Sequence, residues 1–247
     1  MRKSLVKRLV ERILRIRGYD LHLIGTPLRG FENFLSLVKT RGFLPNVVID
    51  IGVGNGTPWL CEAFPDSKFI MFEALKIFED DIRAICQKYD AEYHICALGE
   101  QEGEAAFHVP ENVPTGSSLL PRTESRKEKV AGTRNESLRE TTVEVKRLDG
   151  FKLGSPPFLM KIDVEGAELG VLRGAIQTLK QTEIVVCEVS VEKRHAGQAD
   201  LSEVFSFMKS QHFQLFDIVE MDAQRDGPLS YLDAAFVKDT SKIFDTR

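Results

Sequence analysis

Val47-Val48-Ile49-Asp50-Ile51-Gly52-Val53-Gly54-Asn55-Gly56 is the stretch on which the fold turns: five residues, all but one apolar and mostly β-branched, run straight into a glycine-rich turn. Such a run, too short for a helix and bounded by a turn, reads as a buried strand. The glycines let the backbone approach a ligand at the strand's carboxyl end, where open α/β sheets bind their ligands. A dinucleotide site would ask for G-x-G-x-x-G and a helix N-terminus facing a pyrophosphate. Here the spacing is G-x-G-x-G and an acid, Asp50, precedes the first glycine. An acid beside the turn repels a pyrophosphate but suits a cofactor carrying an α-amino group and a sulfonium. That combination favours S-adenosylmethionine.

Outward from this turn the same rhythm continues. Strands are expected at Val47 to Ile51, Lys68 to Glu73, Glu92 to Leu98, Phe158 to Asp163 and Glu183 to Val189, with helices at Thr57 to Phe64, Ile77 to Tyr89, Ala167 to Lys180 and Leu201 to His212. Alternation of this kind implies a parallel sheet covered on both faces. Phe213 to Met221 and Tyr231 to Lys238 have no helix-length stretch between them, only Arg225-Asp226-Gly227-Pro228, so they should pair antiparallel. The expected fold class is α/β: a Rossmann-like, class I methyltransferase sheet, mostly parallel and closed by an antiparallel C-terminal hairpin. Residues 46–247 would form this domain, with residues 1–45 as a helical extension. Between about 100 and 152 it carries an insertion, in which Ala105 to Val109 and Thr142 to Leu148 alternate and should pair as a hairpin. Glu111 to Glu140 is polar and longer than a plain connection, which suggests a lid that shapes specificity or a disordered loop.

Glu73 closes the second strand, where a carboxylate can accept hydrogen bonds from both ribose hydroxyls of a nucleoside cofactor. Each bond to a charged group contributes about 1.5 to 3 kcal/mol. Farther on, Asp163 and Glu165 stand where the fourth strand turns into its helix, and Glu188 adds an acid near the end of the fifth. Glu165 is placed to cap the helix's first N–H groups as readily as to act in catalysis. Lys161 shares a strand face with Asp163 and, mid-strand, needs Asp163 or Asp50 as a partner. His195 follows the fifth strand at the same rim, as a solvated loop residue or a general base.

These residues carry a family resemblance. Val48-Ile49-Asp50-Ile51-Gly52, Phe72-Glu73, Ala97-Leu98-Gly99, Ser117-Ser118, Arg147-Leu148-Asp149, Leu172-Arg173-Gly174-Ala175 and above all Lys161-Ile162-Asp163-Val164-Glu165-Gly166-Ala167-Glu168 resemble the FkbM family of S-adenosylmethionine-dependent methyltransferases. The likeness runs from about Val47 to Val189. It departs from the family's commoner Gly-Ala-Asn at Gly52-Val53-Gly54-Asn55 and from Phe-Glu-Pro at Phe72-Glu73-Ala74, neither of which removes a polar ligand. The resemblance implies methyl transfer to a hydroxyl of a sugar, glycan or polyketide-type metabolite. It also implies that Asp50, Gly52, Gly54, Asn55 and Glu73 hold S-adenosylmethionine, or its product S-adenosylhomocysteine, with Ala97 near the adenine. The catalytic candidates are Asp163, Glu165 and His195. Magnesium on Asp163, Glu165 and Glu188 is chemically reasonable for hard oxygen ligands, with metal-free catalysis preferred. An NAD-dependent oxidoreductase and a non-catalytic S-adenosylmethionine-binding module are the alternatives.

Composition bounds the partners. The 247 residues contain 43% hydrophobic side chains, enough for one sizeable core. Net charge is −4, yet residues 1–30 carry +6, leaving the rest acidic and without a basic groove for nucleic acid. Leu5, Val6, Leu9, Ile13 and Ile16 recur at helical spacing among basic residues, so residues 1–18 are expected to form a basic amphipathic helix. It suits either an anionic membrane surface or a second subunit. No apolar run is long enough to span a membrane and no secretory signal is evident, so a cytoplasmic protein is expected. Cys61, Cys86, Cys96 and Cys187 form no C-x-x-C pair and read as reduced core thiols.

Overall fold

The computed structural model describes residues 29–124, 137–223 and 229–245. The helix expected over residues 1–18, the centre of the Glu111 to Glu140 segment and the turn at Arg225 to Pro228 lie outside these residues. After helix α1 (Gly30–Thr40), strand β1 (Val47–Ile51) opens the alternation, followed by α2 (Pro58–Ala63), β2 (Lys68–Glu73), α3 (Glu79–Cys86) and β3 (Ala91–Ile95). The later half contributes β7 (Phe158–Ile162), α4 (Glu168–Arg173), α5 (Ile176–Leu179), β8 (Thr182–Ser190), α6 (Leu201–Ser210), β9 (Phe213–Ala223) and β10 (Leu229–Lys238). The seven-stranded sheet has the order β3-β2-β1-β7-β8-β10-β9. Only β10 runs against the rest, pairing antiparallel with both β8 and β9. This is the mostly parallel sheet, closed by an antiparallel C-terminal hairpin, that the sequence predicted.

Burial on both faces explains the uninterrupted apolar strands. Val48, Phe69, Leu159 and Val186 pack under α1, α2 and α3, while Ile49, Ile70, Met160 and Val185 pack under α4, α5 and α6. Each fully buried side chain of this size contributes about 1.5 to 3 kcal/mol. The two polar interruptions in β1 and β7, Asp50 and Lys161, are register partners. They lie in the row next to the strands' carboxyl ends and mark where the core becomes a site.

Three expectations needed correction. The strand expected from Glu92 to Leu98 divides at Cys96: β3 stays in the main sheet, whereas β4 (Ala97–Leu98) leaves it to pair with β6 (Leu138–Lys146). β6 also pairs antiparallel with β5 (Gly103–Pro110), so the inserted hairpin exists and is longer than its apolar alternation suggested. Most of its added residues are exposed and polar, and give no periodic signal. The helix expected over Ala167 to Lys180 breaks into α4 and α5 at Gly174, whose backbone packs so close that a Cβ there would stand 2.1 Å from the Gly99 carbonyl oxygen. Ahead of α3, residues Lys76–Phe78 form a 3₁₀ turn where helix was expected from Ile77.

Candidate active site

The carboxyl ends of β1, β2 and β7 meet around Gly52. Its N–H donates to the Phe72 carbonyl at 2.9 Å, and the Asp163 N–H donates to Ile51 at 3.0 Å. Gly52, Gly54 and Gly56 have φ of +80°, +55° and +109°, the left-handed region that disfavours side chains. At Gly52 space forbids one too, since a Cβ would sit 1.7 Å from the Asp163 carbonyl oxygen. The turn bends over a cavity of about 560 Å³, a volume suited to a nucleoside cofactor with part of a second substrate.

Glu73 enters the cavity wall from the end of β2. One carboxylate oxygen accepts the Gly54 N–H and the other the Leu75 N–H, each at 2.8 Å. Burial raises its pKa and these backbone donors pull it back. A carboxylate oxygen has two lone-pair sites, so both retain capacity for a ligand's hydroxyls. Asn55, Ala97, Leu98 and Phe72 line the same space and add a partly apolar wall. Asp50 is below it and outside the lining. The Thr57 hydroxyl donates to Asp50, and Lys161 Nζ lies 3.9 Å from its other oxygen. Asp50 thus reaches the cavity only through Thr57 and Lys161, which do line it.

Lys161 also pairs with Asp163 at 3.2 Å, so it has both partners the sequence proposed. Burial disfavours its ammonium, but Asp163 and Asp50 outweigh that and raise its pKa above the ordinary lysine value. Asp163 lines the cavity; Glu165 and His195 do not. Glu165 has φ of +55° and does not cap α4. Glu168, the first residue of α4, turns back to the preceding loop instead, accepting the Gly166 N–H at 2.8 Å and the Val164 N–H at 3.3 Å. Burial lifts the Glu168 pKa to about 7 despite these donors. His195 is buried behind Gly166, with 4% of its surface exposed, and is not the solvated loop residue its context suggested. The motif Gly166-Ala167-Glu168 leaves room for that ring because a Cβ on Gly166 would meet its Nδ1 at 3.0 Å.

Asp163, Glu165 and Glu188 do converge, with ligand atoms within 4.8 Å of one another. Arg194 already bridges two of them, 3.2 Å from Glu165 and hydrogen-bonded to Glu188, so the guanidinium holds the position a cation would need. Arg194 was missed in the sequence, where it reads as one more loop cation after a strand. Also missed were Tyr231, Asp233 and Glu220, which line the cavity from β10 and β9, and the Phe31–Trp59 pair, with ring centroids 4.3 Å apart. An acid inside the apolar run Leu232-Asp233-Ala234-Ala235-Phe236 was the available signal for Asp233. Of the polar insertion, Thr115, Ser117 and Leu119 form part of the wall.

Residues 48–215, about two thirds of the chain, match the family described as Methyltransferase FkbM domain. "Methyltransferase 1" of Beauveria bassiana (strain ARSEF 2860) is 27% identical over an alignment of 143 residues that covers 51% of this chain and 57% of that protein. The alignment thus spans little more than half the length of this relative. Among solved structures, 1,6-didemethyltoxoflavin-N1-methyltransferase of Burkholderia thailandensis superposes with a TM-score of 0.42 at 13% identity, covering 84% of this chain and 77% of that one. A TehB-like methyltransferase from Corynebacterium glutamicum gives 0.41 at 11% identity, covering 96% and 97%.

Proposed function

The chain belongs to the methyltransferase FkbM domain family, and from that premise we propose that it is an O-methyltransferase acting on a hydroxyl of a sugar, glycan or secondary metabolite. The observation that carries the reading is the meeting, in one cavity, of the Gly52 to Gly56 turn, the doubly anchored Glu73 and Asp163. S-adenosylmethionine, the family's cofactor, supplies an electrophilic methyl group on a sulfonium. The residues present fit it: Glu73 offers free lone pairs to a ribose, the apolar wall at Ala97 and Phe72 suits an adenine, and the left-handed turn leaves room for close approach.

The protein's own contribution is orientation and proton removal. Holding an acceptor oxygen in line can supply about 7 to 11 kcal/mol of the barrier reduction. Asp163 is the base in this reading, because it alone of Asp163, Glu165 and His195 lines the cavity. Lys161, 3.2 Å away, holds its carboxylate in place to accept a hydroxyl proton, a step worth about 10² to 10⁴ in rate. Small hydroxylated acceptors fit the cavity, and nucleic acid does not fit its acidic surroundings. The four free cysteines suit a cytoplasmic location, and residues 1–18 suit a membrane surface or a second subunit. No helix among the described residues is long and apolar enough to cross a membrane.

Incubation with methyl-labelled S-adenosylmethionine and a panel of hydroxylated sugars, glycans and polyketides, with products read by NMR, tests the proposal. An O-methyl product that disappears in Asp163→Asn is expected. Methyl groups found only on nitrogen or carbon would overturn it.

A further inference from the structure

The strand register places the cavity's acids in a single row. Ile51 pairs with Ile162 and Ile162 with Cys187, so one residue onward Gly52, Asp163 and Glu188 stand side by side. Glu188 pairs with Asp233, and Asp233 with Glu220. Four carboxylates on four neighbouring strands therefore extend from the Gly52 turn across β7, β8, β10 and β9, and all four line the cavity. Like charges directly opposite each other destabilise a sheet, so a row of this kind needs compensating charge.

Compensation within the chain is concentrated at the near end. Lys161 serves Asp163 and Asp50, and Arg194 serves Glu188 and Glu165. Asp233, with 8% of its surface exposed, makes no hydrogen bond or close ion pair among the described residues and is favoured only by the more distant Lys161, already shared between Asp163 and Asp50; Glu220 beyond it has no such partner among them. A carboxylate more than nine-tenths buried, facing a cavity without a donor, is costly unless a ligand supplies one. A neutral polyol would satisfy its lone pairs but leave the charge. An ammonium group satisfies both, and the aromatic rings of Phe31 and Trp59, which line the same cavity, favour a cation as well, while Tyr231 already carries Arg194 over its ring at 4.8 Å.

We propose that the methyl acceptor is cationic, an amino-bearing alcohol whose ammonium group lies against Asp233 and Glu220 while its hydroxyl faces Asp163. Adjacent strands lie about 4.8 Å apart, so Asp233 is roughly 10 Å from Asp163, and an amino sugar bridges much of that span. This inference rests on the O-methyltransferase reading and narrows its substrate class.

The test is calorimetric titration of the S-adenosylhomocysteine-loaded protein with glucosamine and ethanolamine, and with their neutral counterparts N-acetylglucosamine, glucose and ethylene glycol. Wild type, Asp233→Asn and Glu220→Gln are compared, with thermal melting to confirm folding. The amines should bind at least about tenfold tighter than the neutral compounds. That preference should weaken with salt, vanish in Asp233→Asn and shrink in Glu220→Gln, while S-adenosylhomocysteine affinity stays constant. Equal binding of neutral and amino compounds, no amine binding at millimolar concentration, an undiminished preference in Asp233→Asn, or magnesium taking the site in place of the amine would overturn the inference. Failure of wild type to bind S-adenosylhomocysteine would instead remove the reading beneath it.

Discussion

The two ends of the cavity handle negative charge in opposite ways. Around β1 and β2 each acid is answered from within the chain: Asp50 by Thr57 and Lys161, Glu73 by two backbone N–H groups. Around β10 and β9, Asp233 and Glu220 have no hydrogen bond or close ion pair among the described residues, and Asp233 draws only on the distant Lys161 that the first end already uses. The first end has its geometry set before any ligand arrives, as befits a cofactor of fixed shape. The second is left electrostatically incomplete, so that a ligand's own charge contributes to binding and to selection. Preorganisation and deliberate incompleteness are thus divided between two parts of one sheet, with Lys161 and Asp163 at the boundary.

Removing the boundary cation should have the largest effect. Lys161→Met leaves Asp50 and Asp163 without their shared partner, and breaking a buried pair in this way costs about 3 to 5 kcal/mol in urea denaturation. A cost below about 1 kcal/mol would mean that the two ends are not joined electrostatically. Next comes Gly52→Ala, expected to cost about 2 to 4 kcal/mol from overpacking and a left-handed φ together. If the variant melts like wild type, the turn at the first end is not rigid.

Glu168 and Asp233 sharpen the comparison, because burial lifts both pKa values to about 7 although one carboxylate has two N–H donors and the other none. A carboxyl whose folded pKa is raised binds its proton more tightly in the native state than in the unfolded chain. Its stabilising contribution is therefore full below about pH 4.5 and is lost as pH rises through about 7. Glu168→Gln keeps an acceptor for the two N–H groups and removes the ionisable proton. The variant should flatten stability between pH 5 and 8 by on the order of 1 to 3 kcal/mol, as measured by denaturation at several pH values. An unchanged slope would place that titration elsewhere. The smallest effect is expected from Asp233→Asn, which relieves repulsion across β8, β10 and β9 and should stabilise the ligand-free protein by about 0.2 to 1 kcal/mol near pH 8. Destabilisation there would show that the second end is not incomplete after all.

Much of the first end was legible in the sequence because its signals are local. A strand, a glycine turn and an acid at the next strand's end all fall within residues 47–73, and the structure places Glu73 against the turn. The inserted hairpin and the antiparallel closing pair were legible for the same reason, through alternation over short runs. The second end was not, because its row exists only once β10 is inserted between β8 and β9, a fact of sheet order that no local pattern carries. Glu165 and Glu168 illustrate a finer limit. Both stand near a helix start, and across the left-handed turn at Glu165 and Gly166 it is Glu168 that takes the turn's own N–H groups, a placement no local pattern signals. His195 and Arg194 are adjacent polar residues in one loop, yet folding buries both, one behind Gly166 and the other between two carboxylates.

The most direct test of the central claim, that the glycine turn and Glu73 form a seat for S-adenosylmethionine, is calorimetric binding of S-adenosylmethionine, S-adenosylhomocysteine and NAD to wild type and to folded Glu73→Ala. Micromolar binding of the first two, weakened by about 1.5 to 3 kcal/mol in the variant, with no binding of NAD, is the predicted result. Binding of NAD alone, or equal affinity of both proteins for S-adenosylmethionine, would contradict it.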